Sequence, residues 1–158
     1  MQQIKKDICE ILNIDSCDIR QDGESINAIS NTQFDNGEAS FFTIHNSEYR
    51  ICQFYLIELY GCCGVCILST LSVHLNYRHK GLGTLFVELA EKIAKEAGYT
   101  TLLVTDQSFN TKTRSIMAKR NYRDVHSFRN ARTGNLLNIS IKSLIEIPEN
   151  DDDDESDY

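Results

Sequence analysis

The feature that most constrains the fold of this chain is a strand-like run that leads through a short glycine-containing loop straight into an amphipathic helix. The run Gly64–Leu75 is rich in Ile, Val, Leu and Thr, as β-strands commonly are. A helix begins at Gly81, and a strand at Thr101–Thr105 follows its stop signal, Gly98. Strand, helix and strand in this order predict two parallel strands joined by a right-handed crossover. The apolar residues of the helix have the spacing of one helix face: Leu82, Leu85, Phe86, Leu89, Ile93 and Ala97.

The part of the chain before this unit predicts an antiparallel meander. Residues 4–12 space their isoleucines and leucines as one face of a short amphipathic helix. Residues 13–37 are rich in Asn, Asp, Ser and Gly, which is typical of a loop, with one strand near Ser25–Ser30. Two strand-like runs, Ala39–His45 and Arg50–Leu59, then precede the crossover and are separated by turn residues.

The part after the crossover predicts one more helix and a hairpin. The helix covers about Thr111–Arg120, and the hairpin pairs Arg123–Arg129 with Leu136–Ser143. The expected fold class is mixed α/β (α+β): a twisted sheet with an antiparallel meander, a parallel crossover and flanking helices. On the long helix we expect the i,i+4 ion pairs Glu88–Lys92 and Glu91–Lys95 on the face opposite the apolar stripe.

Charge divides the chain into unlike parts. The net charge is −7, and we expect residues 1–148 to form one domain and residues 149–158, with seven acids and no base, to form a disordered tail. Within the domain, residues 1–77 hold ten acids and four bases, whereas residues 78–132 hold eleven bases and five acids. The chain is therefore polarised across the glycine loop.

The N-terminus and the six cysteines indicate the cellular compartment in which the protein is expected. The start Met1–Lys6 is no secretory signal, and no apolar run has the roughly 18 residues of a membrane span, so we expect a cytoplasmic chain with reduced thiols. Cys63 and Cys66 have the spacing of a metal-ligand pair, but a structural zinc site needs a second pair, so we expect no metal. We expect the cysteines to be small buried residues in or beside a strand.

The loop between the long strand and the long helix has the chemistry of an anion site. The first N–H groups of a helix lack partners within it and lie at the positive end of its dipole. Gly81 and Gly83 carry no side chain that would hold an anion away from these groups. The dinucleotide pattern G-x-G-x-x-G fails at Phe86, and the phosphate-loop pattern is absent, which leaves R-x-x-G-x-G. Basic residues at the rim add donors and positive charge: Arg78, His79 and Lys80.

The segment Leu71–Leu85, LSVHLNYRHKGLGTL, resembles the coenzyme A signature of the GNAT superfamily of acyl-CoA-dependent N-acyltransferases. The family's second segment is matched as well, with Asn110 at its opening, Lys119 within it and Tyr122 as its closing aromatic residue. The resemblance extends from about residue 39 to residue 143. It implies the GNAT fold, with acetyl-CoA as co-substrate and no metal.

The resemblance also implies which residues bind the coenzyme. The backbone near Val73 and Leu75 would bind the pantetheine arm, and Asn110 would contact the coenzyme near its thioester. The pyrophosphate would lie beside Arg78 and on the amides of the residues that follow it: His79, Lys80, Gly81, Leu82, Gly83 and Thr84.

The sequence departs from the family pattern where catalysis is expected. Met117 stands where the family usually has a tyrosine that protonates the departing thiolate, and a thioether cannot donate a proton. Ile67 stands where the family often has a glutamate. Transfer to an amine needs a base or an ordered water, and Glu58 and His74 are the candidates, although a solvated strand end and a packed loop histidine are the alternatives. Tyr122 is expected in the core.

These observations together predict an N-acetyltransferase in which an amine attacks acetyl-CoA directly, since no nucleophile is placed for a covalent intermediate. The basic part suits the phosphates of the acyl-CoA, and the acidic part would attract a cationic amine, a polyamine or a basic protein. We expect neither nucleic acid nor a membrane as a partner, and the sequence does not predict an oligomeric state. Two alternatives remain: a non-catalytic GNAT-fold module that binds coenzyme A or a protein, and an acidic decoy acting through Asp151–Asp157.

Overall fold

The structure, a computed structural model, describes residues 1–22, 39–59, 61–108 and 110–146. A one-turn 3-10 helix, Leu75–Tyr77, separates the fourth strand from the second α-helix. The elements follow in the order α1 (Gln2–Leu12), β1 (Asp18–Asp22), β2 (Ala39–His45), β3 (Arg50–Glu58), β4 (Val65–Val73), α2 (Leu82–Glu96), β5 (Thr101–Gln107), α3 (Thr111–Lys119), β6 (Arg123–Arg129) and β7 (Leu136–Ser143).

The strands form one sheet of mixed direction, in the order β1-β2-β3-β4-β5-β7-β6. Strands β1 to β4 are an antiparallel meander, β4 and β5 are parallel and joined by α2, and β7 pairs antiparallel with both β5 and β6. This arrangement confirms the predicted fold class, including the meander, the crossover and the hairpin.

The three helices share one hydrophobic core with one face of the sheet. Alternate strand positions enter this core, among them Phe54 and Leu56 on β3 and Leu102 and Val104 on β5. Each helix adds buried side chains to the same cluster: Ile4, Ile8 and Leu12 from α1, Leu82, Phe86, Val87, Leu89, Ala90, Ile93 and Ala94 from α2, and Met117 from α3. Among the described residues, no helix has the length and apolar character needed to cross a membrane, and the cytoplasmic location stays a prediction.

The sheet opens where β4 and β5 stop pairing. Their register ends at Leu68 opposite Val104, although β4 continues along β3 to Val73 and β5 continues along β7 to Gln107. A bulge in β4, where Thr70 has a φ of 54°, shifts the β3–β4 register just beyond this point. The two halves of the sheet therefore diverge toward the carboxyl ends of β4 and β5 and leave a V-shaped opening between them.

Several sequence predictions about local structure were wrong. Residues 18–22, expected in a loop, form the edge strand β1. Its sequence lacks a strand pattern because it is mostly polar, and among its described side chains only Ile19 is half-buried. Strand β4 ends at Val73 instead of Leu75, since Leu75 enters the 3-10 turn. The strand predicted near Ser25–Ser30 and the domain boundary at residue 148 lie outside the described residues.

The predicted ion pairs on α2 are also not those of the structure. Glu91 is buried and binds Arg120 and Lys142, and Glu88 binds Arg120 as well. The i,i+4 rule describes pairs on a solvent-exposed helix face, whereas this side of α2 packs against the end of α3 and against β7. These contacts join elements that are remote in sequence.

Candidate functional site

A groove of about 720 Å³ lies between the end of β4, the start of α2 and the outer part of α3. It lies on the side of β4 that has no β5 partner beyond Leu68 within the described residues. Its floor on the β4 side is formed by Leu71, Ser72 and Val73. Its remaining walls come from the loop, the first turn of α2 and one side of α3: Tyr77, Arg78, His79, Gly81, Leu82, Gly83, Thr84, Asn110, Lys112, Thr113, Ile116 and Lys119.

The start of α2 is open to the groove. The N-cap residue is Gly81, and no side chain of the described residues caps this helix. The first N–H groups of α2 therefore keep their capacity to bind an anion. His79 and Gly81, with φ of 63° and 78°, both have left-handed backbone that turns the loop sharply into the helix. The geometry of this loop suits a bound phosphate group.

Gly83 has a structural role that the sequence did not predict. A Cβ atom at this position would lie 2.7 Å from Cδ1 of Ile116 on α3, which is closer than carbon atoms can approach. The missing side chain thus lets α2 and α3 pack closely at the edge of the groove. The sequence motif predicts for this glycine only the close approach of an anion.

The charged side chains that line the groove are all basic. They are Arg78 from the loop and Lys112 and Lys119 from α3, and no acidic residue of the described chain is among the lining. The imidazole of His79 lies in the same lining. Arg78 also donates from Nε to the backbone oxygen of Val73 over 2.8 Å, which fixes the loop to the end of β4. A groove of this charge favours a polyanionic ligand.

The other predicted coenzyme residues are placed as follows. Asn110 lies in the groove wall and caps α3, because its Oδ1 accepts a hydrogen bond from the Thr113 amide over 3.2 Å. Lys80 is not part of the lining, and its Nζ lies 5.9 Å above the Tyr77 ring. Leu75 is 70% exposed and lines a smaller cavity on the β3 side. The structure thus brings all the predicted coenzyme residues together except Lys80 and Leu75.

The two predicted bases are separated from the groove. His74 lines the smaller cavity, of about 210 Å³, which shares Ser72, Val73 and Arg78 with the groove. Its Nδ1 accepts a hydrogen bond from the Asn76 amide over 3.4 Å. Glu58 is exposed and pairs in register with Cys66, seven β4 residues from Val73, or about 23 Å along the strand at roughly 3.3 Å per residue.

Met117, at the position of the family's proton-donating tyrosine, and Tyr122, the closing aromatic residue, both lie in the core. Met117 is only 4% exposed and belongs to the main apolar cluster. Tyr122 is buried in the same cluster, as predicted, and burial raises the pKa of its phenol above the ordinary range. Neither side chain supplies a mobile proton to the groove in this arrangement.

The cysteines are only partly as predicted. Cys17, Cys52 and Cys66 are buried, and burial raises the pKa of Cys66 to about 12 and that of Cys52 further. Such thiols stay protonated and are poor nucleophiles. Cys62 and Cys63 are exposed in the β3–β4 turn, at the opposite end of β4 from the groove. Within the described ranges, no group of three or more His, Cys, Asp or Glu residues could hold a metal ion.

One buried carboxylate was missed by the sequence reasoning. Asp106 on β5 is 8% exposed, and neither of its oxygens has a hydrogen-bond partner among the described residues. Burial raises the pKa of this carboxyl group, and the amide of Asn138, which lies opposite it in register but not in hydrogen-bond geometry, lowers the pKa by a smaller amount. Asp106 lies two residues beyond Val104, in the open part of the V. The sequence could have indicated this burial, because Leu102, Val104 and Asp106 occupy every second position of β5 and so share its inward face. An acidic residue at an inward position of a strand is unusual.

Comparison with known proteins agrees with this geometry. Residues 9–122 match the family model described as the acetyltransferase (GNAT) family. No curated protein matches the sequence significantly. The fold is similar to that of the ribosomal-protein-S18-alanine N-acetyltransferase from Escherichia coli, with a TM-score of 0.65 at 12% identity over 85% of this chain and 97% of that one.

Two further solved structures illustrate the range of proteins with this fold. One is the IAA acetyltransferase from Bacillus cereus, with a TM-score of 0.62 at 13% identity over 81% of this chain and 99% of that one. The other is the spermidine N-acetyltransferase from Vibrio cholerae in complex with CoA and spermine, with a TM-score of 0.58 at 12% identity over 67% and 66%. Identities this low show a common fold and nothing finer.

Proposed function

Because this chain belongs to the acetyltransferase (GNAT) family and is thus an acyl-CoA-dependent N-acyltransferase, we propose that it transfers an acetyl group from acetyl-CoA directly to an amine. The observation that carries this proposal is the uncapped start of α2, which opens into a groove whose charged lining is entirely basic. This end of the groove would hold the pyrophosphate of the coenzyme.

The direction of the groove supports a path for the rest of the coenzyme. From the start of α2 the groove follows Val73, Ser72 and Leu71 along β4 toward the point where β4 and β5 part. Within the described residues, the backbone groups of β4 that face β5 have no partner strand beyond Leu68, so they would be able to pair with the amides of the pantetheine arm. The thioester would then lie within the V, beside the β4 bulge at Thr70.

Direct transfer is supported by the state of the thiols. An acyl-enzyme intermediate needs an activated nucleophile near the thioester. Burial keeps Cys52 and Cys66 protonated, and Cys62 and Cys63 lie at the closed end of the sheet. We therefore assign the attack on the thioester carbonyl to the amine of the acceptor. The carbon–nitrogen bond forms as the carbon–sulfur bond breaks, and the coenzyme leaves as a thiolate.

Proton transfer in this proposal depends little on an acid supplied by the protein. Met117 cannot protonate the thiolate, but a thiolate of low basicity is a good leaving group without help. The amine must lose a proton to a base or to water. We retain His74 as the first candidate because its cavity adjoins the groove, although proton acceptance at Nδ1 would require release of its hydrogen bond from Asn76. Glu58 lies on the closed side of the V and is the weaker candidate.

The proposed acceptor is a cationic amine, a polyamine or a basic protein segment. Residues 1–77 carry ten acids against four bases, and such a charge steers cationic molecules toward that part of the protein. Relatives of the same fold act on a ribosomal-protein alanine and on spermidine. The proposal for this chain rests on its own charge distribution.

The coenzyme site is tested by a charge change in the first turn of α2. Thr84 lines the groove, and a Thr84→Glu substitution would place a carboxylate where the pyrophosphate should bind. An acid in the first turn is favourable for a helix, so the fold should persist. Calorimetry should show acetyl-CoA affinity reduced by tenfold or more, whereas the matched neutral variant Thr84→Gln should bind nearly as well as the unaltered chain. Equal affinities for the two variants would refute the proposed site.

A second candidate function is coenzyme binding without catalysis. The specific observation in its favour is that Met117, at the position of the family's proton donor, is buried, and that neither predicted base reaches the groove. A screen of thioester release from acetyl-CoA across small amines, polyamines and basic peptides separates the two functions. Binding of acetyl-CoA with no amine-dependent release of free thiol would favour the binding module.

A further inference from the structure

Helix α3, one wall of the groove, has little apolar anchorage. Of its nine residues only Met117 is buried, and Ile116 is partly buried against the same core. A helix in a protein is stabilised mainly by the apolar face that it packs against its neighbours. The position of α3 relative to α2 should therefore depend on polar contacts in addition to this small apolar contact.

Arg120, the C-cap residue of α3, makes such a contact. Its Nη1 lies 3.2 Å from Glu88 Oε2, and its Nη2 and Nε donate to the two oxygens of Glu91 over 2.6 and 3.3 Å. The Arg120 side chain is 25% exposed and that of Glu91 is 9% exposed. A partly desolvated, bidentate pair of this kind is stronger and more exact in geometry than a surface ion pair.

The position of the Arg120 contact along α3 allows it to influence the width of the groove. Ile116 touches α2 at Gly83, and Arg120 holds α2 four residues further toward the C-terminus of α3. The groove-lining residues Asn110, Lys112 and Thr113 lie on the other side of the Ile116 contact, and Lys119 lines the groove beside Arg120. A change at Arg120 would thus turn α3 about Ile116 and move its first turn relative to the start of α2.

We propose that Arg120 is a positioning residue for acyl-CoA, which sets the width of the groove by binding α3 to Glu88 and Glu91 of α2. This inference rests on the proposed function, because the groove is assigned to acyl-CoA there. Arg120 itself is not among the lining residues and acts through α3. Lys142 of β7, whose Nζ lies 2.8 Å from Glu91 Oε2, joins the same contact to the sheet.

The test compares two arginines of α3. Arg120→Met removes the charge and keeps a long apolar side chain, and Glu91 retains Lys142 as a partner, so the fold should persist. Arg114→Met removes an exposed ion pair with Asp124 that does not involve α2. Calorimetry with acetyl-CoA, well below the melting temperature of each variant, should show affinity reduced about tenfold for Arg120→Met and unchanged for Arg114→Met.

Two milder variants keep the result interpretable if Arg120→Met does not fold. Arg120→Lys can reach only one carboxylate at a time and should restore part of the affinity, and Glu88→Gln should lose about threefold. A merely stabilising role for Arg120 would lower the melting temperature and leave the affinity of the folded protein as it was, and that result would overturn the inference. If the unaltered chain itself fails to bind acetyl-CoA, the proposed function fails first and the inference falls with it.

Discussion

Asp106 is a carboxylate in a buried position, where its negative charge is poorly solvated. Its carboxyl group lies on the inward face of β5, 8% exposed and without a hydrogen-bond partner among the described residues. Burial raises its pKa, so the folded protein binds its proton more tightly than the unfolded chain does. Stability should therefore decrease as the pH rises from the ordinary carboxyl range through the raised pKa, and should level off above it.

We predict that Asp106→Asn stabilises the protein at neutral pH. The amide is close in shape to the carboxyl group and carries no charge to desolvate, so the gain should be about 1 kcal/mol, or roughly 2–4 °C in melting temperature for a chain of this length. The gain should shrink as the pH falls below the ordinary carboxyl pKa, where the unaltered residue is protonated in both states. Thermal unfolding followed by circular dichroism over a series of pH values measures both effects.

Asp124 provides a control of opposite sign for this prediction. Hydrogen bonds from Ser140 and Arg114 lower its pKa, so its contribution to stability is present at neutral pH and is lost as the pH falls through that lowered value. Asp124→Asn should therefore destabilise the protein at neutral pH. If the Asp106→Asn variant melts at the same temperature as the unaltered chain at every pH, the prediction is wrong. The Asp106 carboxylate would then be as well solvated in the folded protein as in the unfolded chain.

At the scale of elements, the contact between α2 and α3 is where packing and ligand binding meet. Gly83 in the first turn of α2 leaves room for Ile116 of α3, and a methyl group there would meet Cδ1 of Ile116 at 2.7 Å. Because the overlapping atom is the end of a flexible side chain, Ile116 can give way. Alanine is also favoured over glycine within a helix by about 1 kcal/mol, which offsets part of the cost.

We predict that Gly83→Ala changes the free energy of unfolding by less than about 1 kcal/mol but weakens acetyl-CoA binding severalfold, since it displaces α3 at the groove. The double variant Gly83→Ala with Ile116→Val removes the overlapping Cδ1 and should recover most of the affinity. Calorimetric titration of the two variants and of Ile116→Val alone completes a double-mutant cycle. Additive losses in that cycle would mean that Gly83 serves the ligand directly and not the packing of α3.

Elements with strong local patterns could be predicted from the sequence, whereas contacts between distant residues could not. The apolar stripe of α2 and the alternation of β7 are each contained in a few residues, and both elements lie where they were expected. Strand β1 was missed because it is a polar edge strand that only its pairing with β2 identifies. Glu91 was assigned to a neighbour four residues away, but its partners are 29 and 51 residues away in sequence.

The candidate site shows the same division. The loop Arg78–Thr84 and Asn110 were identified from a motif, and the structure places them along one groove except for Lys80. The partner of Gly83 on α3, the core position of Met117 and the burial of Asp106 all depend on how α3 packs against the sheet. A motif specifies what one segment can bind, and only the tertiary structure specifies which other segments complete the site.

At the scale of the whole molecule, the basic groove and the end of β7 lie at opposite ends of the sheet. The groove lies at the carboxyl ends of β4 and β5, and its charged lining is basic. Strand β7 ends at Ser143 beside Thr101, at the opposite end of β5. In the sequence, seven acids follow within residues 149–158. Helix α2, with 15 residues, separates the two ends by about 22 Å at 1.5 Å per residue.

We predict that this acidic segment competes with acyl-CoA for the basic groove at low ionic strength. Asp157 is eleven residues beyond Glu146, the last described residue, and a chain of that length can span at most about 40 Å, enough to cover the length of α2. A chain that ends at Pro148 should therefore bind acetyl-CoA severalfold more tightly than the full chain near 10 mM salt, where charges interact over about 30 Å. The difference should vanish near physiological salt, where the screening length is about 8 Å.

A full-length variant with the seven acids replaced by their amides should behave like the shortened chain, because charge and not length causes the competition. Calorimetric titrations at several salt concentrations measure the effect, and equal affinities for all three proteins at 10 mM salt would leave the segment only a role in solubility.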